Sequence, residues 1–459
     1  MVKIVDIRAG AAIALGLLTA GSAQAQSNSG GAAPSNDQQW TIGAQSTVIV
    51  QHLFPFHSPY SGPNSLISRS ETEVTDTYTG YIGYRVHPGF ELYLDPEDAL
   101  GNGLSTGLGL AGVTNVEIVR NPTLGHTPYV ARAFARWTIR TGAGTDSQSK
   151  GENQFAGGVP SQRIVVSGGK MAATDIFDTN RYEDSGRTQF MNWALANNPA
   201  WDYAADTRGY TIGATTEWIN PDFAVRLGFF QMPVMANGIQ LASYLPDNNG
   251  ENLEVELHPK AMATAAGPGI IRLLAYRNMA HMGNYEASLR LAAQTHTTPD
   301  IVDTESNGNV KYGFGLNFEA PLRDGGNTGI FGRLGWDDGA TESFAYTECD
   351  RHVDVGYQLS GAHWRRPDDV FAIDVLENGI VTAHQQYLAE GGLGFLLGDG
   401  NLSYGPERIA ESYYNYQISK DGAAANFFVG PDFQYIEDPG YNSARGPVSV
   451  LSFRAHLEY

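Results

Sequence analysis

Opposite chemistry on alternate residues carries this chain to its last position, and that periodicity limits the folds open to it. In Ser449 to Tyr459, the residues Leu451, Phe453, Ala455, Leu457 and Tyr459 form one apolar face, while Ser452, Arg454, His456 and Glu458 form the other. A period of two belongs to a β-strand. A strand that ends the chain on an aromatic residue, with one face for lipid and one for water, suits the closing strand of a membrane β-barrel. An amphipathic edge strand of a soluble sandwich has the same pattern.

The other end of the chain bears on that choice. Lys3 and Arg8 precede an apolar run from Ala9 to Ala20, and Ala23-Gln24-Ala25 supplies small residues for cleavage, so residues 1–25 read as a secretory signal peptide. Removing Lys3, Asp6 and Arg8 takes the formal charge from -20 to -21, which argues against nucleic acid as a partner. Cys349 stands alone, so no disulfide framework is available, and no Cys/His spacing suggests a metal; no cofactor is expected. Beyond the signal, no apolar run approaches the ~18 residues of a membrane helix. The mature protein is then either soluble or a closed barrel, since only helices and barrels satisfy every backbone group in lipid.

Residues 26–39, rich in Ser, Gly, Asn and Gln, read as a disordered periplasmic leader, and 40–459 as one domain. Alternating segments fall near 40–52, 74–87, 89–98, 128–140, 161–172, 207–220, 221–232 and 251–259, then near 268–280, 307–320, 325–338, 350–363, 368–377, 405–418, 423–436 and 446–459. These make a sixteen-stranded antiparallel transmembrane β-barrel, an even number as expected of single-chain bacterial barrels. Short turn signals such as His87-Pro88-Gly89, Asn220-Pro221-Asp222 and Lys420-Asp421-Gly422 follow even-numbered strands, and the long segments follow odd-numbered ones. A periplasmic N-terminus would therefore point every long loop outward. Thr141 to Pro160 and Pro259 to Gly267 are long for periplasmic turns. Short helices fit 188–197, 283–294 and 380–390, within outer loops that could fold into the mouth.

Enzymatic motifs are weak. Gly103-Leu104-Ser105-Thr106-Gly107 matches GxSxG but has no following helix pattern, and Gly107 to Gly112 matches GxGxxG outside any βαβ unit. The histidines are scattered, without HExxH-type spacing, so the chain is not expected to be an enzyme.

The charged inner faces say more. Alternation turns Arg85, Glu91, Asp95, Arg132, Arg136, Lys170, Glu217, Arg226, Arg272, Arg333, Asp337, Asp354, Asp374, Glu411, Asp432, Arg454 and Glu458 inward, with Tyr129 and Trp137 on the apolar face of their strand. A dry core would not hold so many charges, so the interior is expected to be wet. Mixed signs suit neutral polyhydroxy solutes, because carboxylates accept from hydroxyls and guanidinium forks donate to them. The third outer loop adds Asp178, Arg181, Tyr182, Arg187, Trp193, Trp201, Asp202 and Tyr203.

Blocks along the whole chain carry a resemblance: FHSPYSGPNSL at 56–66, ELYLDPE at 91–97, DIFDTNRY at 175–182, DYAAD at 202–206, AHQQY at 383–387, GLGFLLGDG at 392–400, YGPERIAESYY at 404–414 and the final 432–459. In these the chain resembles the carbohydrate-selective porins of the OprB family, in their alphaproteobacterial form. The resemblance implies an outer-membrane channel of a Gram-negative bacterium that passively admits monosaccharides such as glucose, with loops folded inward to narrow it. A general diffusion porin is the nearest alternative. The expected pathway residues are Arg85, Glu91, Asp95, Arg132, Arg136, Lys170, Arg226, Arg333 and Arg454 on the wall, and Asp178, Arg181, Arg187, Trp193 and Asp202 in the loop. The chain departs from the family's usual ending by closing on tyrosine rather than phenylalanine. Partners are outer-membrane lipid and transported sugars. The apolar outer face serves lipid and a second barrel equally well, leaving monomer and homo-oligomer open.

Overall fold

The structure, a computed structural model, describes residues 38–119, 124, 127–344, 347–419 and 426–459. The expected signal peptide at 1–25, most of the expected leader at 26–39 and the turn expected at Lys420-Asp421-Gly422 lie outside the described residues.

Strands β1 (Trp40–Leu53), β2 (Glu71–His87), β3 (Phe90–Gly101) and β4 (Tyr129–Arg140) are followed by two short strands, β5 (Thr145–Gln148) and β6 (Gly157–Pro160). Then come β7 (Arg163–Met171), β8 (Thr211–Ile219), β9 (Phe223–Gln231), β10 (Asn249–Leu257), β11 (Ile270–Met282) and β12 (Ser306–Arg323). The chain finishes with β13 (Thr328–Asp337), β14 (Arg351–Ser360), β15 (Val370–Gly379), β16 (Glu407–Ser419), β17 (Asn426–Glu437) and β18 (Val448–Glu458). Among the described residues, all but β5 and β6 form one closed barrel of sixteen strands, each paired with its neighbours in sequence and β1 with β18. The closing pair is antiparallel, Thr47 facing His456 and Val50 facing Phe453, and the Thr47 hydroxyl lies 2.9 Å from His456 Nδ1. Closure leaves no strand edge unpaired, which lipid requires.

The outer face is the apolar half of the alternation. Leu227, Phe229, Phe314, Leu334, Val375 and Phe453 are exposed on it. Exposed Trp40, Trp137, Trp218, Tyr357, Tyr416 and Tyr459 all lie near the strand ends that carry the short turns, as an interfacial aromatic belt does. No helix among the described residues is long and apolar enough to cross a membrane.

The long loops carry the expected helices, at Trp193–Ala196, Tyr285–Thr295 and Thr382–Ala389. Asn192 and Asn284 cap the first two by accepting the N–H groups of Ala194 and Ala287. At the other end, the segment Thr141 to Pro160 is no simple turn. It pairs β5 with β6 and folds back into the barrel.

Candidate functional site

The segment from Ala172 to Tyr210, between β7 and β8, descends inside the barrel and returns. Irregular backbone at this depth needs partners for its N–H and C=O groups. The wall of β9 to β18 supplies them. Arg333 Nη1 donates to Leu195 O at 2.8 Å and Nη2 to Glu183 O at 2.5 Å, while Arg454 Nη1 donates to Gly186 O at 2.9 Å and Gln189 O at 2.5 Å. Glu411 accepts the N–H groups of Met191 and Asn192, and Glu254 accepts that of Asp178. Asn317 donates to the Asp178 carbonyl at 2.9 Å. At the lowest point Tyr182 donates to Gly326 O, in the short turn between β12 and β13, so the loop spans the wall from one end to the other. Phe190 packs edge-on against Tyr413, and Tyr182 stacks on Phe331.

A second insertion rises from the opposite end. Between β5 and β6, Glu152 reaches Arg132 Nη1 at 2.7 Å and accepts from Gln45 Nε2 at 2.8 Å. Asn153 donates to Asp95 at 2.7 Å, and its carbonyl accepts from Arg136 at 2.8 Å. Phe155, 2 % exposed, lies under the Arg85 guanidinium at 4.2 Å, and Glu91 holds that guanidinium from the other side.

Between the two insertions and the wall of β1 to β4, β7 and β8 lies a cavity of about 530 Å³. Arg132, Arg136, Arg187 and Trp193 line it with Glu97, Glu117, Glu152, Asp175 and Glu217, and the rings of Tyr129, Tyr203 and Tyr210 face it. Arg132 forks onto Asp175 with Nε at 2.7 Å and Nη2 at 2.6 Å. Arg187 bridges Glu117 at 2.9 Å and Glu97 at 2.8 Å, and donates to Thr79 at 2.8 Å. Burial disfavours the Arg187 charge, but Glu117 and Glu97 outweigh it and hold the guanidinium protonated well above its ordinary range. Tyr129 and Tyr210 donate to the other Glu97 oxygen at 2.5 and 2.8 Å. The Trp193 indole donates to Tyr203 at 3.2 Å. The site therefore offers fixed donors, fixed acceptors and ring faces to whatever occupies it.

Of the residues expected on the pathway, Arg132, Arg136, Arg187 and Trp193 line this cavity. Arg85, Glu91 and Asp95 hold the second insertion against the wall. Asp178, Arg333 and Arg454 anchor the first, and buried Asp202 lies 3.5 Å from Lys311 Nζ. Arg226 sits in a ladder with Glu217, Glu254 and Glu256. Arg181 is exposed beside the β12–β13 turn.

Three expectations need correction. Lys170 is not on the inner face: its cross-strand neighbours Ala133 and Ile212 are exposed outside, and its ammonium donates to Val130 O at 2.8 Å. Tyr129 points inward rather than to lipid, because the β3–β4 register shifts beside Asp95 and Pro96. Such a bulge reverses the alternation past it. The interior is also not wet throughout, for Arg333, Arg454, Glu411 and Asp374 are at most 1 % exposed under the first insertion.

Glu97 was within reach of the alternation, since it shares a face with Glu91, Tyr93 and Asp95 on β3. Glu117, Glu152 and Asp175 lie in loops where no period operates. Ser105 serves its own loop: it donates to Glu71 at 3.0 Å and accepts from the Ile67 N–H at 2.8 Å, with no histidine among those partners.

Residues 81–459 match the family model described as carbohydrate-selective porin, OprB family. Among solved structures the chain is similar to Pseudomonas putida OprB at high pH, with a TM-score of 0.66 at 16 % identity over 92 % of this chain and 94 % of that one. It is also similar to Salmonella typhi OmpF in complex with daunomycin, with a TM-score of 0.49 at 8 % identity over 93 % and 100 % of the two chains. A search of curated protein sequences returns no match. At 16 % identity the likeness to OprB speaks for the fold alone, while the family match covers the greater part of the sequence. The chain therefore belongs to the carbohydrate-selective porin, OprB family, whose members are sugar channels of the Gram-negative outer membrane.

Proposed function

We propose that the chain admits monosaccharides such as glucose by passive diffusion, and that their path runs through the cavity lined by Arg132, Arg136, Arg187 and Trp193. The observation that carries this reading is the mixture around one space of guanidinium forks, carboxylates and ring faces. Forks donate to hydroxyl oxygens and carboxylates accept from hydroxyl protons, so a neutral polyhydroxy solute exchanges water for comparable partners. Many weak contacts concentrate the solute and still release it. The process calls for no cofactor and no covalent step. Residues 1–25 act as a cleaved signal peptide and 26–39 as a leader in the periplasm. The short turns and both chain ends then face the periplasm, and the Ala172 to Tyr210 loop enters from outside.

Purified protein in planar bilayers should give steady pores whose conductance falls as glucose is added. Intact bilayers without conductance would sink the reading. Liposome swelling separates the nearest alternative: a general diffusion porin would pass amino acids as fast as sugars of equal mass.

A further inference from the structure

The geometry points to a calcium site that clamps the inserted Ala172 to Tyr210 loop to the barrel wall, formed by Glu183 of the loop with Asp354 of β14 and Asp374 of β15. One ligand oxygen from each of these residues lies within 4.8 Å of the others, and all three side chains are buried. Oxygens on opposite sides of a single calcium ion, bound at about 2.3–2.6 Å each, are separated by about the same span.

Proximity of carboxylates alone is not a site, and two further observations point to a ligand. Asp374 is 1 % exposed, yet neither of its carboxylate oxygens has a hydrogen-bond partner, and Glu183 Oε2 has none either. A buried carboxylate left in that state is strongly disfavoured. The backbone also makes room for it. Gly356 on β14 faces Asp374 across the strand pair, and a Cβ there would come within 2.2 Å of Asp374 Oδ2 and 2.3 Å of the Phe331 ring. Any side chain at 356 would push the carboxylate out of the cluster.

Charge balance leads to the same place. Arg333 is the guanidinium in contact with the group, at 3.1 Å from Glu183 Oε1, but it also lies 3.0 Å from Asp178. Asp354 receives the Arg333 N–H at 2.8 Å on one oxygen and His352 Nε2 at 2.6 Å on the other, which leaves second lone pairs free on both. Asp178, Glu183, Asp354 and Asp374 thus have the Arg333 guanidinium and the His352 imidazole as their basic neighbours. A divalent cation would balance what remains. Only oxygen is offered, which selects a hard cation, and the irregular geometry of loop and wall suits calcium better than the strict octahedron of magnesium. The ligands come from positions 183, 354 and 374, so no sequence spacing announces the site.

Folded full-length protein, purified in detergent with calcium chloride and passed through a chelating resin, should retain about one calcium ion per chain by elemental analysis. Transfer to a strong chelator should lower its melting temperature by several degrees, restored by calcium chloride. Asp374→Asn and Glu183→Gln should each reduce the retained calcium to below about a tenth of an equivalent. Should either variant fail to fold, the metal content and chelator response of the unaltered protein decide. Folded wild-type protein that holds no calcium and melts identically with calcium and chelator overturns the proposal, the carboxyl groups then sharing protons. Equal calcium in the wild type and a folded Asp374→Asn overturns it as well.

Discussion

The two sides of the barrel wall carry the same residue types and use them differently. From β9 to β18, arginines and carboxylates are spent on the backbone of the inserted loop, as when Arg454 caps Gly186 O and Gln189 O and Glu411 caps two N–H groups. On β1 to β4, β7 and β8, Arg132 is held by Asp175 and Glu97 by Arg187 of the loop, and both still face an open cavity. The difference lies in what stands opposite: backbone with fixed directions on one side, space for solvent and solute on the other. Arg333→Ala tests it most severely. It would leave Asp178 and Glu183 buried without their guanidinium, a loss of roughly 3–5 kcal/mol, seen as loss of heat resistance and a larger, noisier conductance. Arg136→Ala, on the cavity side, should cost only about 1–2 kcal/mol, for it gives up one bond to the Asn153 carbonyl and partly exposed cation–π contacts with Tyr93 and Phe134. Equal destabilisation by the two would break the comparison.

The second insertion sharpens it, because here the cavity side has a plug of its own. Phe155→Ala should loosen the β5–β6 hairpin by roughly 3 kcal/mol, since the ring is buried among Tyr93 and Phe134. Faster hydrogen exchange at 149–155, with the Ala172 to Tyr210 loop still protected, is the expected result. A pH effect belongs to the long-loop end. Burial raises the Glu342 carboxyl from 4.5 to about 7, against the Gly283 N–H that donates to it at 2.6 Å. The folded state then binds a proton the unfolded chain releases, so this contribution is complete below about pH 4.5 and is lost as pH rises through about 7. It amounts to at most about 3 kcal/mol. Melting curves across that window should flatten in Glu342→Gln; an unchanged profile would assign the pH dependence elsewhere.

Strand positions were legible because a membrane barrel enforces a period of two along nearly every strand, with lipid selecting one face. The pattern is silent where side chains do not set the phase. Around Lys170, Ile164, Val165 and Val166 are apolar on both faces and Gly168 and Gly169 carry no side chain, so nothing marked which parity pointed outward. At Tyr129 one bulge reversed it. The loops were less legible for a different reason. Their hold on the wall is made largely through backbone groups, which every residue has, so the sequence of 172–210 could suggest recognition chemistry but not which wall residues it would occupy. An inward arginine looks the same whether it meets water or a carbonyl. In the sequence, 141–160 stands out only as too long for a turn, and its length is what lets it reach Arg132.

Trp193 lies where the two uses of the interior meet, and its substitution should have the smallest effect. Its backbone N–H donates to Val113 O, which ties it to the packed loops, while its ring borders the cavity and its indole is turned to Tyr203. If the ring face takes the C–H face of a passing sugar, Trp193→Ala should weaken block by glucose in planar bilayers roughly two- to tenfold, the equivalent of about 0.5–1.5 kcal/mol. Trp193→Phe keeps a ring face and loses the bond to Tyr203, so it should retain most of the block. A Phe variant as impaired as the Ala variant would mean that the indole hydrogen bond positions the loop, and that Trp193 belongs with the anchors and not with the path.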